Sequence, residues 1–186
     1  MKKHHTRQLA LSGIFAGLGV VLLLLGALLQ VLDLSAAAIV SLLIVVAVIE
    51  LSPAYPVLIY LVTGLLALLL LPDKLTAIVY LLITGYYPIA KLYLERLPQV
   101  LAWLAKLVVF LLALSATLGV GVWLLSVDLS FAGTKLAGFG AWVVAGLYLV
   151  GGVVFVLFDI LLSRFATIYM HRLRKRFALD KYLMGE

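Results

Sequence analysis

The sequence of 186 residues contains no cysteine, only three histidines and few charges. Without thiols, disulfides, thiolate metal sites, iron–sulfur clusters and cysteine nucleophiles are excluded. The histidines (His4, His5 and His171) lie in charged terminal segments, so an intramembrane haem or histidine-bound metal has no ligands, and we expect no metal or cofactor. Charged residues make up 12% of the chain, whereas soluble domains carry about 25%.

Apolar residues fill most of the sequence: 66% of it is hydrophobic and the mean hydropathy is +1.27. A soluble fold of this length hides at most about 70% of the surface of its unfolded chain. Such a composition would therefore leave large apolar patches in water and lead to aggregation. The sequence predicts an integral membrane protein, and its sparse polar chemistry argues against an enzyme and against binding of nucleic acid.

Uncharged runs near the length of about 20 residues that a spanning helix needs recur along the chain. They predict an all-α fold, a single domain of six transmembrane helices joined by short loops. The predicted spans are approximately 9–30, 34–51, 54–72, 75–97, 99–126 and 136–163, followed by a basic C-terminal helix at 164–182. Pro88 should kink the fourth helix. The first apolar run exceeds the about 7–15 residues of a signal-peptide core, so we interpret it as a retained helix.

The distribution of basic residues predicts the orientation of these helices. Of the 14 Lys and Arg residues, eleven fall on the side of the N-terminus, only Lys74 and Lys135 fall on the other side, and Lys106 lies within a span. The positive-inside rule then predicts that both termini lie in the cytoplasm. A cluster near the C-terminus is expected to contact anionic lipid headgroups: Arg172, Arg174, Lys175 and Arg176.

Two charged residues, Lys106 and Asp159, fall inside predicted spans, where an unpaired charge is costly. We expect Lys106 to pair with Asp159, Glu50 or Glu95, because all four lie towards the predicted cytoplasmic ends of their helices. A structural ion pair and a proton or ion relay both remain open interpretations of this pairing.

Polar and aromatic residues gather at the predicted outer ends of the later helices. They fit either an ordinary aromatic belt or the wall of a small-molecule pocket. The candidate substrate-binding residues are Asp73, Lys74, Tyr80, Trp123, Asp128, Phe139 and Trp142. On the opposite side, Tyr86, Tyr87 and Lys91 are interpreted as interface anchors.

Small residues form a stripe on the first helix: Ser12, Gly13, Ala16 and Gly17. Helices in lipid associate where small side chains let their backbones approach closely. The stripe therefore predicts either packing within the chain or a docking face for a partner subunit.

The segment TRQLALSGIFAGL at residues 6–18, on a short chain of six predicted helices, resembles the substrate-binding (S) components of energy-coupling factor transporters. Three further segments are similar to Firmicutes membrane proteins of this type: VIELSPAYPVLIYL, LLLLPDKLTA and GYYPIAKLYLERL. The resemblance implies an importer subunit that captures a small, vitamin-like nutrient and docks onto a transmembrane coupling subunit with ATPase subunits. By position, the pair Ser12 and Ala16 or the pair Gly13 and Gly17 would dock.

A second function stays open beside the importer. A small bundle of this kind also suits a scaffold or assembly subunit of a bacterial membrane complex, which would need no ligand pocket. In both functions the chain itself carries out no catalysis.

Overall fold

The computed structural model describes the backbone of residues 2–29, 33–125 and 140–173, and the side chains of residues 5–29, 33–120 and 145–171. The predicted all-α fold is confirmed, since the described residues form helices joined by short turns and include no strand. The helices are α1 (Lys2–Leu29), α2 (Asp33–Glu50), α3 (Ala54–Leu70), α4 (Lys74–Val79), α5 (Tyr87–Leu94), α6 (Gln99–Leu125) and α7 (Gly140–Ile168). Two π-helical turns follow α4 and α7, at Tyr80–Thr84 and Tyr169–Leu173.

Five helical stretches in the described residues are long and apolar enough to cross a membrane, and α3, with 17 residues, is shorter. Many of their large apolar side chains, such as Leu69, Leu112 and Leu149, point outward from the bundle. An outward apolar surface on nearly every helix is what a lipid environment requires. The structure is thus consistent with a multi-pass membrane protein.

The first four helices pack around one apolar core. Helix α2 lies between this core and the later helices, because α2 contacts α1 and α3 as well as α5 and α7. Small residues bring these helices together, among them Ala37, Ala47 and Ala67, which are completely buried. Gly19 of α1 is packed so closely that an added Cβ would lie 3.1 Å from Thr63 and 3.2 Å from Val40. Close approach of small residues is the ordinary basis of helix association in lipid.

A second core joins α2, α5, α6 and α7, and within it α5, α6 and α7 meet through aromatic rings. The Phe110 and Phe155 rings stack with their centroids 4.4 Å apart, and Tyr87 meets Phe155 edge to face at 4.9 Å. Gly151 lets α7 approach α6, since a Cβ there would lie 3.2 Å from Leu114. Tyr87 also connects this aromatic layer to a cluster of buried charges, because its hydroxyl donates to Asp159.

The fourth predicted helix, 75–97, is not one continuous α-helix. Gly85 N–H donates to the Tyr80 carbonyl at 2.7 Å, which widens the helix into a π-turn, and α5 begins again at Tyr87. The expected kink at Pro88 is thus an interruption that begins before the proline, and Pro88 lies in the first turn of α5, where its missing N–H costs little.

Two side chains from neighbouring helices satisfy the carbonyls that this interruption leaves free. The Tyr60 hydroxyl of α3 donates to the Leu81 carbonyl at 2.9 Å, and the Ser41 hydroxyl of α2 donates to the Thr84 carbonyl at 2.8 Å. In a continuous helix the N–H of residue 88 would donate to the Thr84 carbonyl, but Pro88 has no N–H. The wide turn is therefore built into the packing of three helices rather than being a local defect.

Candidate functional site

The most polar part of the described interior is a cluster of charges on α5, α6 and α7. Lys91, Lys106 and Asp159 are 7%, 5% and 4% exposed, respectively. The structure brings Lys106 to two of its predicted partners, with its Nζ 3.2 Å from Asp159 Oδ2 and 3.2 Å from Glu95 Oε1. Glu50, the third predicted partner, ends α2 with a half-buried side chain.

Asp159 of α7 is the centre of this cluster, because three side chains from α5 and α6 donate to its carboxylate. The Tyr87 hydroxyl donates to Asp159 Oδ1 at 2.6 Å, and the Lys91 ammonium donates to the same oxygen. Lys106 approaches both carboxylate oxygens at 3.2 Å. A carboxylate with this many charged and neutral donors keeps its negative charge compensated inside the bundle.

Lys91 is likewise surrounded by acceptors. Its ammonium donates to the Asp159 carbonyl at 2.9 Å and to the Ser163 hydroxyl at 2.7 Å, both on α7, and it lies 3.3 Å from Glu95 Oε1. Each of its donors therefore has a partner. The cluster as a whole joins two ammonium groups to two carboxylates and ties α5, α6 and α7 together at one level.

Sequence reasoning missed Lys91, Tyr87 and Ser163 as members of this cluster, since it treated the first two as interface anchors. A signal for them was present in the spacing. Tyr87, Lys91 and Glu95 follow each other at intervals of four residues, as do Asp159 and Ser163, so each set shares one face of a helix. The face of α5 that carries Lys91 could have been matched to the face of α7 that carries Asp159.

The structure gives structural contacts to the three candidate substrate-binding residues whose side chains it describes. Asp73 caps α4 by accepting from Leu75 N–H at 3.0 Å and from Thr76, while Lys74 donates to the Leu68 and Leu71 carbonyls at the end of α3. Tyr80 is completely buried in the core of the first four helices. Binding of a substrate by these residues stays a prediction.

The other four candidates cannot be placed in a site. Trp123 lies in the last turn of α6 and Trp142 near the start of α7, with their side chains outside the described residues. Asp128 and Phe139 lie outside the described residues altogether, as does the part of the predicted C-terminal helix from residue 174 onwards.

The small-residue stripe on α1 divides into two faces. Ser12 and Ala16 are 2% and 4% exposed, and the Ala16 carbonyl accepts from the Thr63 hydroxyl of α3 at 3.4 Å. Gly13 and Gly17 instead face outward, and an added Cβ at either position would meet no atom within 4 Å. One pair is therefore used for packing within the chain, and the other pair leaves a shallow open surface.

Fold and site together define a class: a small, all-helical protein with apolar, outward-facing helices suited to a membrane and one buried network of charges. No protein-family model, curated protein or solved structure matches the chain. Its function is therefore argued from its own residues.

Proposed function

We propose that the chain is the membrane-embedded substrate-binding subunit of an importer of the energy-coupling factor type, which takes up a small, vitamin-like nutrient. The observation that carries the proposal is the open Gly13 and Gly17 face of α1. Packing within the chain accounts for Ser12 and Ala16 but leaves these two glycines exposed with no neighbour within 4 Å of an added Cβ. A glycine pair spaced by four residues on an outward helix face favours close approach of another helix.

The proposed topology has both termini in the cytoplasm, and the ion cluster near the same side. His5 Nδ1 lies 2.7 Å from the Tyr55 hydroxyl, and the Ser52 hydroxyl lies 3.3 Å from Gln8 Oε1, so the start of α1 is beside the connection between α2 and α3. The sequence assigns eleven basic residues to this side, which supports the proposed orientation through the positive-inside rule. The nutrient would then bind at the opposite end, and ATP hydrolysis would belong to partner subunits.

A scaffold or assembly subunit is the second candidate, and one observation favours it. Asp73, Lys74 and Tyr80, three of the residues proposed to bind a nutrient, have their described contacts with the chain's own backbone or core. Under this function the open face of α1 would bind another membrane protein without any transported ligand.

Native mass spectrometry of the full chain, extracted from its own membrane in a mild detergent, separates the two functions. The importer predicts co-purified ATPase and coupling subunits together with a retained small molecule. The scaffold predicts partner subunits without ATPases and no ligand. Retention of neither ATPases nor a small molecule would overturn the importer proposal.

The docking face is tested by replacing Gly13 and Gly17 with leucine. We expect the double variant to insert normally but to lose the partner, because bulky side chains prevent the backbones from approaching. Gly146→Leu is the matched control, since Gly146 is also exposed with nothing within 4 Å of an added Cβ, but lies on α7. Unchanged assembly of the Gly13 and Gly17 variant would rule out this face.

A further inference from the structure

The buried part of the ion cluster is unbalanced by one positive charge. Lys91, Lys106 and Asp159, all more than nine-tenths buried, together contribute two ammonium groups and one carboxylate. An extra positive charge inside a helix bundle is costly unless an anion compensates it. In this structure the compensating anion is the Glu95 carboxylate.

Glu95 differs from the other members in how it is held. Its side chain is 50% exposed, whereas the side chains of the two lysines and Asp159 are 5–9% exposed. Both of its ionic contacts use the same oxygen, Oε1, at 3.3 Å from Lys91 and 3.2 Å from Lys106. Ion pairs of exposed carboxylates contribute little to stability, so exchanging the Glu95 carboxylate for another anion, which keeps the two lysines compensated, costs little.

The two ammonium groups therefore converge on one half-exposed position, which Glu95 Oε1 occupies. An oxygen placed there lies 3.3 Å from the Lys91 ammonium and accepts from Lys106 at 3.2 Å. Lysine ammonium groups bind phosphate as point charges, and two of them facing one position favour an anion with several oxygens.

This position lies at the end of α5, beside the turn to α6, among side chains typical of the membrane–water interface. The Arg96 guanidinium lies 5.3 Å from the centre of the Tyr93 ring, and the Trp103 ring is 5.5 Å from the Lys106 ammonium. Tyr93 and Trp103 are exposed. Aromatic side chains at this level lie beside lipid headgroups, and basic pockets between helices on the cytoplasmic side bind anionic headgroups.

We propose that Lys91 and Lys106 form an anion site, filled here by Glu95 of the same chain, which takes an anionic phosphate group when Glu95 moves outward. The phosphate belongs either to an anionic lipid headgroup or to free inorganic phosphate. The site is independent of the proposed import function, because it uses neither the α1 face nor the opposite end of the bundle.

The test is native mass spectrometry of the full chain in a nonionic detergent, titrated with phosphatidylglycerol or with zwitterionic phosphatidylcholine. Glu95→Gln removes the internal competitor, so we expect phosphatidylglycerol to bind about twofold to fivefold more tightly, with no gain for phosphatidylcholine. Glu50→Gln is the matched control, since it removes a carboxylate at the end of α2 whose two oxygens are buried, and changes the net charge equally. We expect it to leave binding unchanged.

A second measurement identifies the source of the phosphate. If inorganic phosphate raises the Tm of Glu95→Gln above that in chloride at equal ionic strength, and prevents binding of phosphatidylglycerol, the site takes free phosphate. If only the lipid raises the Tm, the site takes a headgroup. If Glu95→Gln binds phosphatidylglycerol no better than Glu50→Gln and phosphate does not raise its Tm, the proposal is overturned.

Adding Lys106→Gln to Glu95→Gln should abolish the gain in affinity. A double variant that folds and keeps the gain would also overturn the proposal. If the double variant does not fold, the comparison of Glu95→Gln with Glu50→Gln still tests the proposed anion site.

Discussion

Helices α1 to α4, here the N-terminal half, meet through small side chains and closely fitted apolar surfaces, whereas α5 to α7, the C-terminal half, meet through aromatic rings and buried charges. In the N-terminal half, residues such as Leu23 and Ile44 are completely buried without any polar partner. In the C-terminal half, Asp159 alone accepts from three different side chains. α2 contributes to both cores.

The difference shows how a bundle in lipid can be held without the usual hydrophobic driving force. Burial of an apolar side chain gains little when the alternative is lipid, so the N-terminal half depends on shape and dispersion contacts. The C-terminal half depends on charges that have no alternative partner in lipid. The N-terminal half should therefore be sensitive to volume, and the C-terminal half to charge.

The largest effect is expected when Asp159 is replaced by alanine. The substitution leaves two ammonium groups buried with only the half-exposed Glu95 to compensate them, and breaking a buried ion pair on one side costs about 3–5 kcal/mol. Thermal unfolding in neutral detergent measures the loss. A loss below about 1 kcal/mol would show that the cluster contributes little to the fold.

A second variant tests whether the loss in Asp159→Ala comes from the uncompensated lysine charges or from the packing space that the aspartate side chain leaves. The triple variant Lys91→Met, Lys106→Met and Asp159→Leu replaces the three buried charges of the cluster with apolar groups. Since apolar replacement of a complete buried ion network is often neutral or stabilising, we expect it to recover most of the stability lost in Asp159→Ala. A triple variant as unstable as the single one would mean that polar contacts with Tyr87 and Ser163 hold this half together.

The next largest loss of stability is expected for Gly85→Ala, because the site has no room for an added methyl group. An added Cβ would lie 2.8 Å from the Tyr80 carbonyl oxygen and 2.9 Å from the rings of Tyr60 and Tyr80. Because a backbone atom is among these neighbours, the clash cannot be relieved by a side chain alone, and overpacking of this kind costs about 1–3 kcal/mol.

Gly17→Ala is the matched control for Gly85→Ala, measured in the same unfolding experiment. An added Cβ at Gly17 meets nothing within 4 Å, and alanine favours a helix over glycine by about 1 kcal/mol. We expect this variant to be neutral or slightly more stable. Equal losses at both positions would mean that the close fit around the π-turn is not what limits substitution.

Much of this architecture follows from the sequence, because charges and prolines bound the apolar runs. The ends of α2 and α3 lie within two residues of the predicted spans 34–51 and 54–72. The pairing of Lys106 was anticipated because a membrane interior leaves a lone charge few options. Both features follow from the high energetic cost of a charge or a helix-breaking proline within a span, and these residues can be identified in a single sequence.

The π-turn and the role of Lys91 did not follow from the sequence, for a different physical reason. Whether Gly85 N–H reaches the Tyr80 or the Leu81 carbonyl depends on Tyr60 from α3, a residue distant in sequence. Lys91 near a helix end can reach water or turn inward, and only the facing acceptors on α7 decide between these conformations. Both features therefore depend on contacts between distant helices. The spacing of four residues shows which face of α5 carries Lys91, but it does not show which helix that face contacts.

A smaller effect is expected at Ser41→Ala, and it links the two halves. The Ser41 hydroxyl donates to the Thr84 carbonyl, which has no helical partner because Pro88 lacks an N–H. Loss of the hydroxyl should therefore lower the free energy of unfolding by about 1 kcal/mol. In a Pro88→Ala background the restored N–H can serve that carbonyl, and the same substitution should then cost less. A double-mutant cycle of unfolding free energies measures the difference. Purely additive effects would contradict the assigned role of Ser41.

The smallest effect is expected at Glu95→Gln, because Glu95 alone in the cluster is half exposed. Its pairing with two lysines should contribute at most about 1 kcal/mol in neutral detergent without anionic lipid. The contribution should also fall when salt is raised from about 0.1 M to about 1 M, since the screening length shortens from about 10 Å to about 3 Å. The loss in Asp159→Ala should barely change over the same range, because Asp159 is 4% exposed and little screened.

If Glu95→Gln instead cost as much stability as Asp159→Ala at every salt concentration, the four charges would act as one indivisible unit. The division between a fixed interior charge and an exchangeable surface one, on which the anion site depends, would then be wrong.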